Sequence, residues 1–407
     1  MFSNRTPADF ELNPLACARA ERRRAGARLI DLTETNPTRV GVSPTVAEIA
    51  AAFGPAFEER HAPTSARATV HDAAHYDPDP RGLLVAREAI SDYYADRGCA
   101  VPPDRILLAA STSEAYANLF RLLGDAGDEF LVPRPSYPLI EPLASLECVR
   151  LAAYPLRYAG RWTLDPSEIE RALTPRTRAV IVVNPNNPTG SFVAPYAARA
   201  LESLCVRRGV VLIADEVFGD FALDASAPRR ATFADARDPL TFVLSGLSKV
   251  AGLPQLKLAW IAVAGPAALA EPAIARLEWV ADALLSVATP VQLALPRLLA
   301  GRRAFQERTL ARLRANRAHL IGALAARPDL EALATDGGWT AVVRVPRTRS
   351  EEEWALALLA RDVVVHPGHY YDFEEEAYLV VSLLPEQDVF AEGVARLVEL
   401  SGDAPTR

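Results

Sequence analysis

Short, nearly unbroken apolar runs recur along the first two thirds of the chain. They are 106–110 (ILLAA), 129–132 (EFLV), 179–183 (AVIVV), 210–214 (VVLIA), 241–244 (TFVL) and 259–263 (AWIAV). Longer stretches with apolar residues at helical spacing separate them. A strand that is apolar on both faces belongs inside a sheet covered on both sides, and regular alternation with helices makes that sheet mostly parallel. The rhythm then changes. An arginine-rich helical pattern runs from about 301 to 327, too polar for a core element. Strand patterns at 339–345, 362–366 and 378–383 follow, interleaved with helical patterns at 350–360 and 387–400. The expected organisation is α/β: a large domain over 46–300, and a smaller α+β domain built from 1–45 together with 301–407.

Composition narrows the possible functions. The chain has 407 residues and a formal net charge of −7, which argues against nucleic acid as a partner, since phosphates demand a basic face. No apolar run approaches the roughly 20 residues of a membrane helix. The first residues lack the apolar core and small-residue cleavage site of a secretory signal, so a cytoplasmic location is expected. Cys17, Cys99, Cys148 and Cys205 are scattered without redox or metal spacing, as are the histidines, and no metal site is expected. The 44 basic residues include only two lysines, Lys249 and Lys257. Arginine serves wherever a positive charge suffices, but only a lysine amine deprotonates and condenses with an aldehyde. Two lysines eight residues apart in such a chain point to chemistry.

Ligands of open α/β sheets bind beyond the carboxyl ends of the strands, so the residues after each run carry the functional reading. After 106–110 come Ser111, Thr112 and Ser113 at the start of a helix. That arrangement suits a phosphate and equally suits a plain helix cap. After 129–132, Tyr137 stands between prolines and offers a flat face. After 179–183, Asn184-Pro-Asn-Asn-Pro-Thr-Gly190 is a rigid turn that presents amide donors, Asn187 among them. After 210–214, Asp215 ends a very apolar strand, where a carboxylate is costly without a cation beside it. After 241–244 the chain reads Ser245-Gly-Leu-Ser248-Lys249.

These pieces occur in the order found in the fold type I, pyridoxal-phosphate-dependent aminotransferases of class I and II, and the chain resembles that family over about residues 30–400. The most specific segments are NPNNPTG at 184–190, ADEVF at 214–218 and SGLSKVAGLPQLKLAW at 245–260; YDPDPRG at 76–82 and HPGHYYDF at 366–373 add support. The resemblance implies a mostly parallel, seven-stranded sheet flanked by helices, and pyridoxal 5′-phosphate as cofactor. It implies Lys249 as the lysine joined to the cofactor as a Schiff base and as the general base, Asp215 as partner of the ring nitrogen, and Asn187 as donor to the ring's 3′ oxygen. Tyr137 would stack on the ring. Ser111, Thr112, Ser113, Ser248 and Lys257 would hold the phosphate. Tyr76 would reach the phosphate across a homodimer interface. The implied reaction transfers an amino group from an amino acid to a 2-oxo acid in two half-reactions.

Three positions depart from the family pattern. Lys257 stands where the family usually has arginine. Phe218 stands where it often has a tyrosine that shares the 3′ oxygen. Val380 stands where it places the arginine for the substrate carboxylate. A substitute clamp could come from Arg39 or Arg344, with His369 and Tyr370 lining the substrate side; each is equally readable as an ordinary surface or loop residue. Alternatively, the scaffold performs a different reaction of the same cofactor: elimination, decarboxylation or cyclisation.

Overall fold

The computed structural model describes residues 2–7, 9–11, 13–57, 73–74, 76–375 and 377–402. Its strands, in chain order, are β1 (Ile30–Asp31), β2 (Ile106–Ala109), β3 (Glu129–Arg134), β4 (Arg150–Tyr158), β5 (Trp162–Leu164), β6 (Thr177–Val183) and β7 (Val211–Asp215). They continue with β8 (Thr241–Gly246), β9 (Ala259–Ala264), β10 (Glu331–Ala332), β11 (Thr340–Arg344), β12 (Val363–Val364), β13 (His366–Pro367) and β14 (Tyr378–Ser382).

The large sheet runs in the order β2-β9-β8-β7-β6-β3-β4-β5. Only β9 and β5 oppose the common direction. The expected seven strands are therefore eight. The chain reverses after Tyr158 and lays the three-residue β5 against the end of β4. Neither β4 nor β5 stands out as an apolar run, because at this edge of the sheet arginine, proline and tyrosine are tolerated. The central strands are apolar on both sides and fill two cores. Leu131, Val180, Leu212, Val243 and Trp260 face one of them, against the helices Leu84–Ala95, Pro195–Arg208 and Thr289–Ala300. Phe130, Ile181, Ile213, Phe242 and Ile261 face the other, under the helices Thr112–Leu123 and Ala267–Asp282. Each such side chain contributes about 1.5–3 kcal/mol by leaving water.

A third core belongs to the later part of the chain. A four-stranded antiparallel sheet, β10-β11-β14-β13, packs with the helices Arg302–Leu324, Glu351–Ala360 and Gln387–Gly402. The N-terminal segment joins this part: β1 pairs in parallel with β12, Ile30 opposite Val363. The arginine-rich helix corrects the reading of that stretch as too polar for a core. Arg302, Phe305, Thr309, Leu313, Asn316, Leu320 and Leu324 form a buried stripe at intervals of three and four residues. The arginines line its other faces and hide that stripe from a count of polar residues.

Candidate active site

β6, β7 and β8 are neighbours in the sheet, and their carboxyl ends bring three sequence motifs together. Asp215 is the last residue of β7. Its carboxylate accepts a hydrogen bond from the Tyr116 hydroxyl at 3.0 Å and from the Val217 N–H at 3.1 Å. Burial pushes its pKa up to about 6, against the pull of those two donors and of the Lys249 charge. Lys249 sits in a one-turn helix, Leu247–Val250, directly after β8. Its Nζ lies 4.8 Å from the centre of the Trp339 ring and 5.5 Å from that of Phe218. Burial brings its pKa down to about 8, opposed by Asp215.

The lowered amine has a measurable consequence. Only neutral lysine attacks an aldehyde, so in cofactor-free protein the rate of condensation with an aldehyde should rise about tenfold per pH unit below about 8 and level off above it. Stopped-flow absorbance across pH 6–10 reads this profile. A rate that keeps climbing past pH 9 would contradict it.

Tyr116 and Trp339 were not singled out from the sequence. Tyr116 lies one turn beyond Thr112 on the helix Thr112–Leu123, and its hydroxyl is invisible in a pattern that reads only its apolar ring. Trp339 read simply as the first residue of a strand; the two glycines before it, Gly337 and Gly338, were the available signal of a close approach.

In the turn 184–190, two of the three asparagines serve the turn itself. The Asn184 amide donates to Arg230 O at 3.0 Å and its oxygen accepts from Val193 N–H, while the Asn186 oxygen accepts the Thr189 hydroxyl at 2.9 Å. Asn187 differs. Its oxygen faces the Thr340 hydroxyl at 3.4 Å, and its NH2 has no hydrogen-bond partner among the described residues. The turn is pinned to the start of β11 by Thr340, which donates to Pro188 O at 2.9 Å, and by Gly337, whose N–H donates to Gly190 O at 2.8 Å. Gly190 has φ +69, and a Cβ there would stand 2.4 Å from Gly337 O and 2.6 Å from Thr335 Cγ2. Gly190→Ala is expected to cost about 2–4 kcal/mol through combined backbone strain and overpacking, read as a lower midpoint in denaturant unfolding.

Ser111 caps the helix Thr112–Leu123, its hydroxyl accepting the Glu114 N–H, and Thr112 and Ser113 form the first turn. All three are partly buried, as is Ser248 beside Lys249. Lys257 is exposed and holds a left-handed backbone, φ +50, just before β9. Tyr137 is half-exposed, on a loop fixed by Ser136 N–H donating to Tyr371 O at 2.9 Å. Tyr76 is 84 % exposed, with Asp77 and Pro78 beside it, along a cavity of about 200 Å³ that also meets Glu114 and Ser286.

A model of the aminotransferase class I and II family matches residues 56–390. The chain belongs to the aminotransferase class I and II family. It is similar to the glutamate-pyruvate aminotransferase AlaA of Escherichia coli K12, 31% identical over 230 residues that cover 56% of each protein, so the chain spans about half the length of this curated relative. It is also similar to the arginine–pyruvate transaminase AruH of Pseudomonas aeruginosa, 28% identical over 346 residues, 81% of this chain and 84% of that one. In fold it matches the alanine aminotransferase of Pyrococcus furiosus with a TM-score of 0.84, at 22% identity and 95% coverage of both chains.

The residues weighed for the substrate side lie as follows. Val380 lies in the middle of β14, 1 % exposed, paired with Val342 on one side and His366 on the other. β11 places Thr340, Val342 and Arg344 on one face, so Val380 shares the face that meets Asn187 but offers no charge. Arg39 is 71 % exposed at its side chain and pairs with Glu34 at 3.4 Å. Arg344 pairs with Glu331 at 2.6 Å and lies over the rings of Tyr158 and Tyr378. The His369 N–H donates to Glu351 at 2.6 Å, with its ring 3.5 Å from the same carboxylate, and Tyr370 packs edge-on against His369. Among the hydrogen bonds, ion pairs and ring contacts of the described residues, none joins these four to Lys249, Asp215 or Asn187. The Phe218 ring faces Lys249, so Phe218→Tyr adds a hydroxyl donor beside the amine. It should lower the pH midpoint of any lysine-dependent visible absorption by on the order of one unit. An unmoved midpoint in a spectroscopic titration would remove the idea.

Proposed function

We propose that this chain is a pyridoxal-phosphate-dependent aminotransferase that moves an amino group from an amino acid to a 2-oxo acid. The carrying observation is the amine of Lys249, its pKa brought down to about 8, standing against a pair of packed aromatic rings and within electrostatic reach of Asp215. The residues fit the cofactor by their chemistry. A carboxylate set in apolar surroundings lacks a full cationic partner, an amide NH2 is unspent at Asn187, and a twelve-residue helix opens with hydroxyl side chains. When bound, the protonated ring supplies an electron sink for charge developing at the substrate.

In this reading Asp215 keeps the ring nitrogen protonated, and Tyr116 holds the Asp215 carboxylate in place. Asn187 orients the ring through its 3′ oxygen, and Tyr137 covers a face. Ser111, Thr112, Ser113, Ser248 and Lys257 receive the phosphate, joined by Tyr76 from a second copy in a homodimer. Lys249 would hold the cofactor covalently and, when its amine is free, would carry the substrate proton on Nζ as general base and then general acid. The trough formed by Phe218 and Trp339 keeps water from that amine. Residues 46–300 would act as the large domain and 1–45 with 301–407 as the small one, in a cytoplasmic enzyme. The names of the two relatives make pyruvate the first acceptor to test.

Val380 favours a second reading, in which the altered carboxylate site serves elimination or decarboxylation on the same scaffold. A single-turnover screen of amino acids against the purified, cofactor-loaded protein separates the two. Conversion to the pyridoxamine form with release of a 2-oxo acid supports the first. Release of ammonia or carbon dioxide with the starting spectrum restored supports the second.

A further inference from the structure

Behind the strand ends lies a ring of polar contacts that no step above uses. Glu216, next to Asp215, is wholly buried; its Oε1 accepts the Phe233 N–H at 2.6 Å and its Oε2 stands 3.6 Å from the Arg97 guanidinium. Arg97 donates to the Tyr93 hydroxyl at 2.7 Å, and Tyr93 donates to Asp220 at 3.1 Å. Asp220 also accepts from Gln306 Nε2 at 3.1 Å. The same Gln306 nitrogen donates to Val250 O at 2.9 Å. Val250 follows Lys249. The ring thus begins at the neighbour of Asp215 and ends at the neighbour of Lys249, and a single amide closes it.

That amide comes from a helix with other attachments. Val250 O is a terminal carbonyl of the one-turn lysine helix, a group left without a partner by the helix's own ladder. Gln306 supplies the partner, and the preceding Phe305 fits its ring over Gly252, where a Cβ would stand 2.4 Å away. Further along the same helix, Arg308 and Arg312 donate to Val42 O and Val40 O, and Asn316 donates to Leu383 O at 2.9 Å and Pro385 O at 2.8 Å. Leu383 directly follows β14. One rigid helix, Arg302–Leu324, therefore touches the lysine turn at its first turns and the end of β14 about 15 Å further on.

We propose that Gln306 is a positioning residue for Lys249, acting through Val250 O, and that it passes the placement of β14 and the 40–42 segment to the reactive amine. The inference rests on the reading of Lys249 as that amine. Without the Gln306 donor, the lysine turn loses its tie to the long helix, and the amine relaxes toward solvent. The charged and titratable groups around the turn are Asp215 and Tyr116 on one side and Glu216, Arg97, Tyr93 and Asp220 in the ring; of these only Asp220 touches Gln306, and it keeps its bond from Tyr93 when Gln306 is changed.

The test uses cofactor-free protein and needs no activity. Reductive methylation with formaldehyde, followed from pH 6 to 10 with peptide mapping, reports Lys249 and Lys257 separately. In Gln306→Leu, the Lys249 midpoint should rise by at least about half a unit, making Lys249 about threefold less reactive near pH 7, while the Lys257 profile stays put. Gln306→Met keeps the length, adds no charge and offers no donor to either acceptor; it should move Lys249 the same way, and it carries the comparison if the leucine variant does not fold. A Lys249 profile that coincides with the wild type in the folded variants, whatever happens to the melting temperature, overturns the proposal. The function proposed above fails separately, as wild-type protein that forms no lysine-dependent visible band with pyridoxal phosphate.

Discussion

Lys249→Ala is expected to lower amino-group transfer by on the order of 10⁴-fold, the upper range for loss of a positioned acid–base group. It should also abolish covalent retention of the cofactor. The chain makes this unusually clean to measure, because Lys257 is the only other lysine. Lys257 is exposed on the turn before β9, away from the aromatic trough of Phe218 and Trp339. Borohydride treatment of loaded protein followed by mass spectrometry should find the label on Lys249 in the wild type and none in the variant. Retention of a tenth of the wild-type rate would sink the assignment of Lys249 as the base.

Asp215→Asn should lower kcat by about 10²–10³-fold, the range for removing one preorganised electrostatic partner, while the cofactor-free protein becomes more stable. The sign follows from the raised pKa. Folded Asp215 titrates at about 6, above the usual 3.8, so the folded state binds more protons between those values and loses stability as pH climbs through that window. Above about pH 6 the buried charge costs on the order of 3 kcal/mol. Asparagine removes that cost while still accepting from Tyr116. Urea titrations of the cofactor-free proteins should therefore show the variant ahead at pH 7.5 and level with wild type near pH 4. A variant less stable at both pH values, with kcat intact, would mean that Asp215 is a structural residue.

The sequence was informative where a physical requirement leaves few residue choices. Apolar strands covered on both faces announced the central sheet, and the motifs at their ends fell where open sheets bind ligands. Lys249, Asp215 and Asn187 stand at three adjoining strand ends, as their order in the chain implied. Edge elements were harder. β4 carries Arg150, Pro155 and Arg157, and it escaped because an edge strand need not be apolar. The long helix Arg302–Leu324 hid its core stripe among arginines. Contacts between distant segments were least legible of all. Only the two glycines before it hint at Trp339 as a wall for Lys249, and nothing local marks Gln306 as its tether, since both depend on which segments of the chain meet. The substrate side remains the least legible part: Val380, read from the resemblance as standing at an arginine position, is a buried apolar residue of β14, and the arginines weighed as replacements pair with Glu34 and Glu331.

The pairing of β1 with β12 bears on how the protein is made. Ile30 and Asp31 leave the ribosome long before their strand partners, Val363 and Val364. At roughly 5–20 residues per second, the N-terminal strand waits some tens of seconds for its partner. The large sheet, whose strands all lie between Ile106 and Ala264, is free to form during that wait. The small α+β core is completed only after Val363 and Val364 have emerged.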